Sequence, residues 1–272
     1  MSEQQSPSRL ASVVRPEPPA LDDPAELYHE ASKYFPATAA RDVAAAIRLV
    51  TAPELQRATA RPTYRHPQRP LLPLDRPAPL AVPLDAALAA RRSARSFGRG
   101  PLSGPELSAL LRAGYGPTGE LSEDDWTKRL RSAPSAGALY PLDVYVAAQR
   151  VTGLAAEVHR YDPLEQALEP AGVAVDTIAA ATPYADLVAE AAVTLVLAAT
   201  FWRSRFKYGQ RAYRFTLLEA GHVAQNVLLA AAALGLAAVP LGGFFDARLD
   251  GALGLDGVER SSLYLLSIGR HP

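Results

Sequence analysis

The stretch "RSRFKYGQRAYR", residues 203–214, runs straight into "FTLLEAGHVAQNVLLAAAALGLA", residues 215–237, and the reading of this pair decides the fold. The second part predicts one long helix over about 212–234, stopped at Gly235. Its apolar residues go nearly all round, and alanines cluster at 230–233, which suits burial on several sides. Two arrangements give that much cover: the central helix of a monomeric core, or a homodimer with such helices at its centre. The first part puts four arginines and one lysine at the mouth of this helix, with Lys207 beside Tyr208. Taken by spacing alone, Lys207 is a solvated lysine at a helix start.

Composition limits what the charge can be for. Lys+Arg and Asp+Glu are both 28 in the 272 residues, so no global charge calls for nucleic acid or an acidic membrane surface. Local clustering of basic residues points to a small anion. There is no cysteine, which excludes disulfides, thiolate metal sites, iron–sulfur clusters and a Cys nucleophile. The N-terminal residues have no apolar signal core, and no run approaches the roughly 20 apolar residues of a membrane span. A cytoplasmic protein is expected, with neither membrane nor nucleic acid as partner.

Outward from the long helix, the pattern is mixed. Residues 191–200 read as a buried strand, as do 142–149, 157–162, 236–241 and 261–269, while 84–93, 103–114 and 246–253 read as helices. No regular βαβ repeat emerges, so the fold class is α+β. Residues 1–83 form an N-terminal extension: a mobile Pro-rich tail, short helices from Asp23–Pro24 and over about 40–50, and a Pro-dense spacer at 61–83. Residues 84–272 form the catalytic domain.

Three short motifs carry candidate chemistry. "RRSARSF", residues 91–97, offers Arg91, Arg92, Ser93 and Arg95 as bidentate and hydroxyl donors to an anion, or as caps on the preceding helix carbonyls. "SAPSAGALYPLDVYV", residues 132–146, places Ser135, Ala136 and Gly137 where backbone and hydroxyl can approach a flat ligand, or make an ordinary turn. "VPLGGFFD", residues 239–246, follows a strand with Gly242 and Gly243, a bend or a close ligand approach. No GxGxxG opens a helix. Glu219, His222 and Asn226 share one helical stripe and predict a structural hydrogen-bond network; no metal site is expected.

In this order the segments resemble the nitroreductase-like FMN flavoproteins over about residues 84–272. Within them the chain is most similar to the SagB/ThcOx-type azoline dehydrogenases, which oxidise thiazolines or oxazolines in natural-product peptides. "ELYHEASKYF" resembles the N-terminal signature of that branch. The resemblance implies a central, mostly antiparallel sheet flanked by helices and a homodimer with long central helices. It assigns Arg91, Arg92, Ser93 and Arg95 to the FMN phosphate and ribityl chain, and Ser135, Ala136 and Gly137 to the isoalloxazine. Leu241, Gly242 and Gly243 then bring backbone to the reactive side of the ring, and the 135–137 loop can serve the partner's flavin. Arg270 is a further phosphate candidate. Ordinary nitroreductases carry Asn, Gln and often Trp where this chain has Ala138, Tyr140 and Leu142, which favours the azoline branch.

The same resemblance makes Lys207 and Tyr208 a catalytic pair. Azole formation removes a proton from one ring carbon and a hydride from its neighbour, and a bound flavin takes the hydride. Burial and the like charges of Arg203, Arg205 and Arg211 are expected to lower the Lys207 pKa enough for a base. The expected substrate is an azoline-containing peptide or carrier-bound intermediate, with a cyclodehydratase complex as partner. The other readings are an NAD(P)H-dependent nitro or enone reductase of the same fold, and a scaffold subunit of a peptide-modifying complex.

Overall fold

The apolar run 193–200 is the middle of a seven-stranded sheet in the computed structural model, which describes residues 23–36, 52, 54, 59, 68–123 and 126–272. In chain order the strands are β1 (Leu72–Pro73), β2 (Pro117–Glu123), β3 (Trp126–Arg131), β4 (Leu142–Ala147), β5 (Glu157–Asp162), β6 (Ala167–Ala174), β7 (Val193–Thr200), β8 (Ala237–Leu241) and β9 (Arg260–Gly269). The large sheet has the order β1-β6-β5-β4-β7-β9-β8, and β2 with β3 makes a separate hairpin. Every pairing among these strands is antiparallel.

The helices are α1 (Pro24–Ala31), α2 (Leu84–Ala90), α3 (Gly104–Tyr115), α4 (Asp176–Ala180), α5 (Ala185–Glu190), α6 (Trp202–Tyr208), α7 (Arg211–Ala233) and α8 (Asp246–Leu253). They cover both faces of the sheet, which is why its central strands read as apolar runs and not as alternation. On one face Leu142, Val144, Leu195 and Leu197 pack with α3 and α7 residues such as Leu110 and Val223. On the other, Tyr145, Val196 and Ala198 pack with Ile178, Val188 and Leu249. Ser103 caps α3 in a reciprocal box with Glu106. The α+β reading therefore stands.

Several boundaries differ from the sequence reading. The basic stretch is not the start of the long helix. It forms its own helix, α6, closed by Gly209 at φ 55° and ψ −134°, a conformation open only to glycine. The α7 helix then starts at Arg211. The β2–β3 hairpin and strand β6 were not foreseen, because "WTKRLR" is polar and β6 contains a proline and a glycine. The helix expected over 40–50 lies outside the described residues, as do residues 1–22 and 61–67 of the extension. The rest of the Pro-dense spacer is extended, and its β1 pairs with β6 at the edge of the sheet.

The α1 segment is latched to the start of α7. Arg211 donates to the Ser32 carbonyl at 2.7 Å, Arg214 donates to the Ser32 hydroxyl at 2.5 Å, and Tyr28 meets Tyr213 edge-on at 5.3 Å. This brings Tyr34 beside Arg211, 5.0 Å from its ring centre.

Candidate active site

The loop between β3 and β4 is held in an uncommon shape. Gly137, Ala138 and Tyr140 all have positive φ, at 62°, 49° and 48°. For the two non-glycine residues this costs on the order of 1–3 kcal/mol each, so the surroundings must enforce it. They do. The Ser135 hydroxyl accepts from the Tyr140 amide at 2.9 Å, and the Tyr140 hydroxyl accepts from the Arg131 amide at 2.9 Å. The Arg131 guanidinium lies between the Tyr115 and Tyr140 rings, 4.3 and 4.6 Å from their centres. Its Nε and Nη2 are buried and have no hydrogen-bond partner among the described residues.

Beneath the loop sits Glu219, buried on α7. It accepts from the Tyr115 hydroxyl at 2.6 Å. Burial raises its pKa to about 7, against the opposing pull of hydrogen bonds from Ser135 and Tyr115 and of the Arg131 charge. Burial likewise raises the Tyr115 hydroxyl well above its ordinary range, with the Glu219 charge adding to it. The stripe read from the sequence is therefore split. Glu219 makes the network, but its partners are Tyr115 and Ser135, whereas His222 is exposed.

A stability prediction follows from Glu219. Because its folded pKa is raised, the folded state binds the proton more tightly than the unfolded chain does. Stability is fully retained below the ordinary carboxylate pKa and falls as pH rises to about 7, by at most roughly 3–4 kcal/mol at ~1.4 kcal/mol per unit. Glu219→Gln should flatten the dependence of Tm on pH between 5 and 8. Superimposable profiles for the two proteins would contradict the assignment.

Lys207 and Tyr208 occupy the last turn of α6, and both reach the loop. A methyl group at Gly137 would stand 2.7 Å from Lys207 Nζ and 2.7 Å from Tyr208 Oη. Burial lowers the pKa of Lys207 and raises that of Tyr208. The arginines expected to tune the lysine are engaged elsewhere. Arg203 pairs with Asp143 at 3.2 Å, Arg205 lies over Trp202 at 5.3 Å, and Arg211 is turned to Ser32 and Tyr34. The like charge near the site comes from Lys128 on β3, a residue that sequence reasoning missed. It is 4 % exposed, and its Nζ donates to the Gly137 carbonyl at 3.4 Å.

The anion motif is assembled at the other end of α7. Arg91, Arg92 and Arg95 line a cavity of about 430 Å³ together with His271, and the walls include Leu228 and Ala232 of α7 and Ala237 and Ala238 of β8. Arg92 also caps α2, donating to the Ala89 carbonyl at 2.9 Å. Ser93 does not line the cavity; it forms a backbone bridge to Ala238. Arg270 is not a free phosphate donor, because it makes a two-pronged ion pair with Glu106 at 2.7 Å. The β8 strand leads from the cavity to Leu241, which is buried, and then to Gly242 and Gly243, which are exposed. Apart from its chain neighbours, none of the described residues comes within 4 Å of where a Gly242 side chain would be.

Residues 88–270 match the family described as Nitroreductase family, and the chain belongs to it. That makes it an oxidoreductase of a class whose members typically bind flavin. It is 35 % identical to a nitroreductase-like protein of Methanocaldococcus jannaschii over 194 residues, covering 70 % of this chain and 91 % of that one. It is 33 % identical over 137 residues to the microcin B17-processing protein McbC of Escherichia coli, a match covering 46 % of this chain and 49 % of McbC. The Escherichia coli microcin synthetase McbBCD complex with truncated pro-MccB17 contains a chain of the same fold. That chain has a TM-score of 0.58 and 22 % identity, and the match covers 91 % of this chain and 92 % of that one.

Proposed function

We propose that this protein is an FMN-dependent dehydrogenase that converts thiazoline or oxazoline rings to thiazoles or oxazoles in a peptide or carrier-bound intermediate. The observation that carries the reading is the meeting of Lys207 Nζ and Tyr208 Oη at Gly137. An amine of lowered pKa next to a phenol suits removal of a proton from carbon, a step that simple flavin-mediated nitro reduction does not need. The half-length match to McbC, a microcin-processing protein, supports the same branch. A cyclodehydratase complex is the corresponding partner, in line with the McbBCD assembly.

The residues present fit FMN. Three guanidiniums at a cavity suit a phosphate, and open backbone at Gly242 suits a ring edge. From Ala238 to Gly242 is about 13 Å of extended chain, close to the reach of one flavin mononucleotide. When bound, FMN would supply the hydride acceptor. The Lys207 amine would take the proton from the neighbouring ring carbon, and the Tyr208 hydroxyl would orient the ring by a hydrogen bond to its heteroatom.

We read the site as two halves that different subunits contribute to one flavin. The α7 helix has 23 residues, about 35 Å at 1.5 Å per residue. The arginine cavity lies at its C-terminal end and the Lys–Tyr pair at its N-terminal end, roughly twice a flavin's length apart. A homodimer that sets two α7 helices antiparallel joins the arginines and Gly242 of one subunit to Ser135, Ala136, Gly137, Lys207 and Tyr208 of the other. Tyr213, Leu217 and Leu218 form an exposed apolar stripe on α7 that such a dimer would cover.

The test is direct. The purified yellow protein is mixed with an azoline-containing peptide, and the loss of two hydrogens is read by mass. The methanogen relative, matched over most of its length, favours the second reading, an NAD(P)H-dependent reductase. Rapid flavin bleaching by NADPH, with no mass change on any azoline peptide, would select that reading and discard the first.

A further inference from the structure

Beyond the Lys–Tyr pair, the site holds a second amine in a position that has no structural explanation. Lys128 sits on the hairpin strand β3, buried to 4 % exposure, where a lysine is costly. Its hydrogen-bond partner is a single carbonyl, that of Gly137, and no ion pair to Lys128 or Lys207 forms among the described residues. That same glycine is where Lys207 Nζ arrives. Two amines thus flank one backbone unit of the loop.

We propose that Lys128 is a positioning residue coupled to Lys207, so that the two amines carry a single proton between them at the pH of turnover. This rests on the reading of Lys207 as the base. Placing a second cation beside a lysine is a way to hold one amine unprotonated near neutrality, and anchoring the second cation to a carbonyl fixes its place. Burial pushes Lys128 down to about 8, and the Lys207 charge adds to the shift. Burial lowers Lys207 too, to a smaller degree. The first proton to leave belongs to the pair as a whole, and the neutral amine it leaves can sit on Lys207 when Lys207 works.

The other charged groups nearby leave the pair to itself. On α6, Tyr208 is raised by burial and stays neutral. Tyr34, beyond α1, adds to that shift, and Arg211 of α7 is turned to Tyr34 and Phe215. Glu219 of α7 is turned to Tyr115, and Arg131 of β3 lies between Tyr115 and Tyr140.

The test uses the intact purified protein and no substrate. Trace acetic anhydride is applied across pH 6–11, and acetylation of each lysine is read by mass spectrometry. In the wild type, one amine of the pair should become reactive near pH 8. Lys128→Arg keeps a permanent charge at the site and should make Lys207 titrate at least about one pH unit earlier than in Lys128→Met. The same midpoint for Lys207 in both variants would overturn the coupling. Should Lys128→Met not fold, Lys207→Met gives the reciprocal reading. An upward shift of the Lys128 midpoint supports the pair, and an unchanged midpoint overturns it. Failure to oxidise azolines would leave this result untouched, whereas absent coupling in an active azoline dehydrogenase would remove only the role of Lys128.

Discussion

Lys207→Ala should bind FMN as the wild type does and form azoles about 10³-fold more slowly, the loss expected for a general base. The two effects separate because of where the side chain lies. Lys207 meets the loop at Gly137, at the end of α7 away from the arginine cavity, so its removal takes nothing from phosphate binding. It is half-buried and makes no ion pair among the described residues, so truncation leaves no stranded charge behind. If anything, Lys128 becomes easier to accommodate. The visible flavin spectrum and Tm should therefore be close to those of the wild type. Stopped-flow reduction of the flavin by an azoline peptide isolates the affected step. Reduction at the wild-type rate would remove Lys207 as the base, and loss of the yellow colour would show that it holds the cofactor instead.

What the sequence made legible was whatever repeats a local rule. The apolar runs of β4 and β7 announce themselves because both faces of the sheet are covered, and the long helix α7 because its buried positions recur at helical spacing; the cover on several sides that its alanines suggest is not met within one chain, where Leu217 and Leu218 are exposed. The helix at 103–114 was marked by Ser103, Pro105 and Glu106, a capping pattern with a stereochemical cause. The motifs of the candidate site were visible as residue types, and Gly137 does adopt the positive φ that calls for glycine. Illegible were the pairings that depend on where distant segments meet. Nothing local distinguishes Lys128 in "WTKRLR" from its solvated neighbour Arg129, which pairs with Glu120 at 3.0 Å. Only the return of the chain at Gly137 gives it a role. For the same reason the arginines of 203–214 were read as tuning the lysine. Arg203 and Arg211 have partners far away in sequence, Asp143 and Ser32, and those long-range contacts engage them, while Arg205 lies over the nearby Trp202.

The proposed dimer has a consequence that a monomeric site would not share. Leu218 is 55 % exposed on α7, one turn beyond Arg214 and next to Glu219, whose side chain points inward to Tyr115. In a single chain Leu218→Asp puts a carboxylate in water and should cost little, within the range of ordinary surface changes. In a twofold dimer the same substitution buries a carboxylate twice, each without a partner, at several kcal/mol apiece. The dimer should weaken by at least about 10³-fold, and the variant should elute as a folded monomer with a normal far-ultraviolet spectrum. It should also be nearly colourless, because the arginine cavity and the Gly137 loop at opposite ends of α7 need the second subunit to meet across one flavin. Adding FMN at high protein concentration should then restore dimer and colour together, since whatever binds only the assembled form stabilises it. A Leu218→Asp monomer that keeps FMN at wild-type affinity would mean that one chain holds the whole site, and the division of residues between subunits would have to be abandoned.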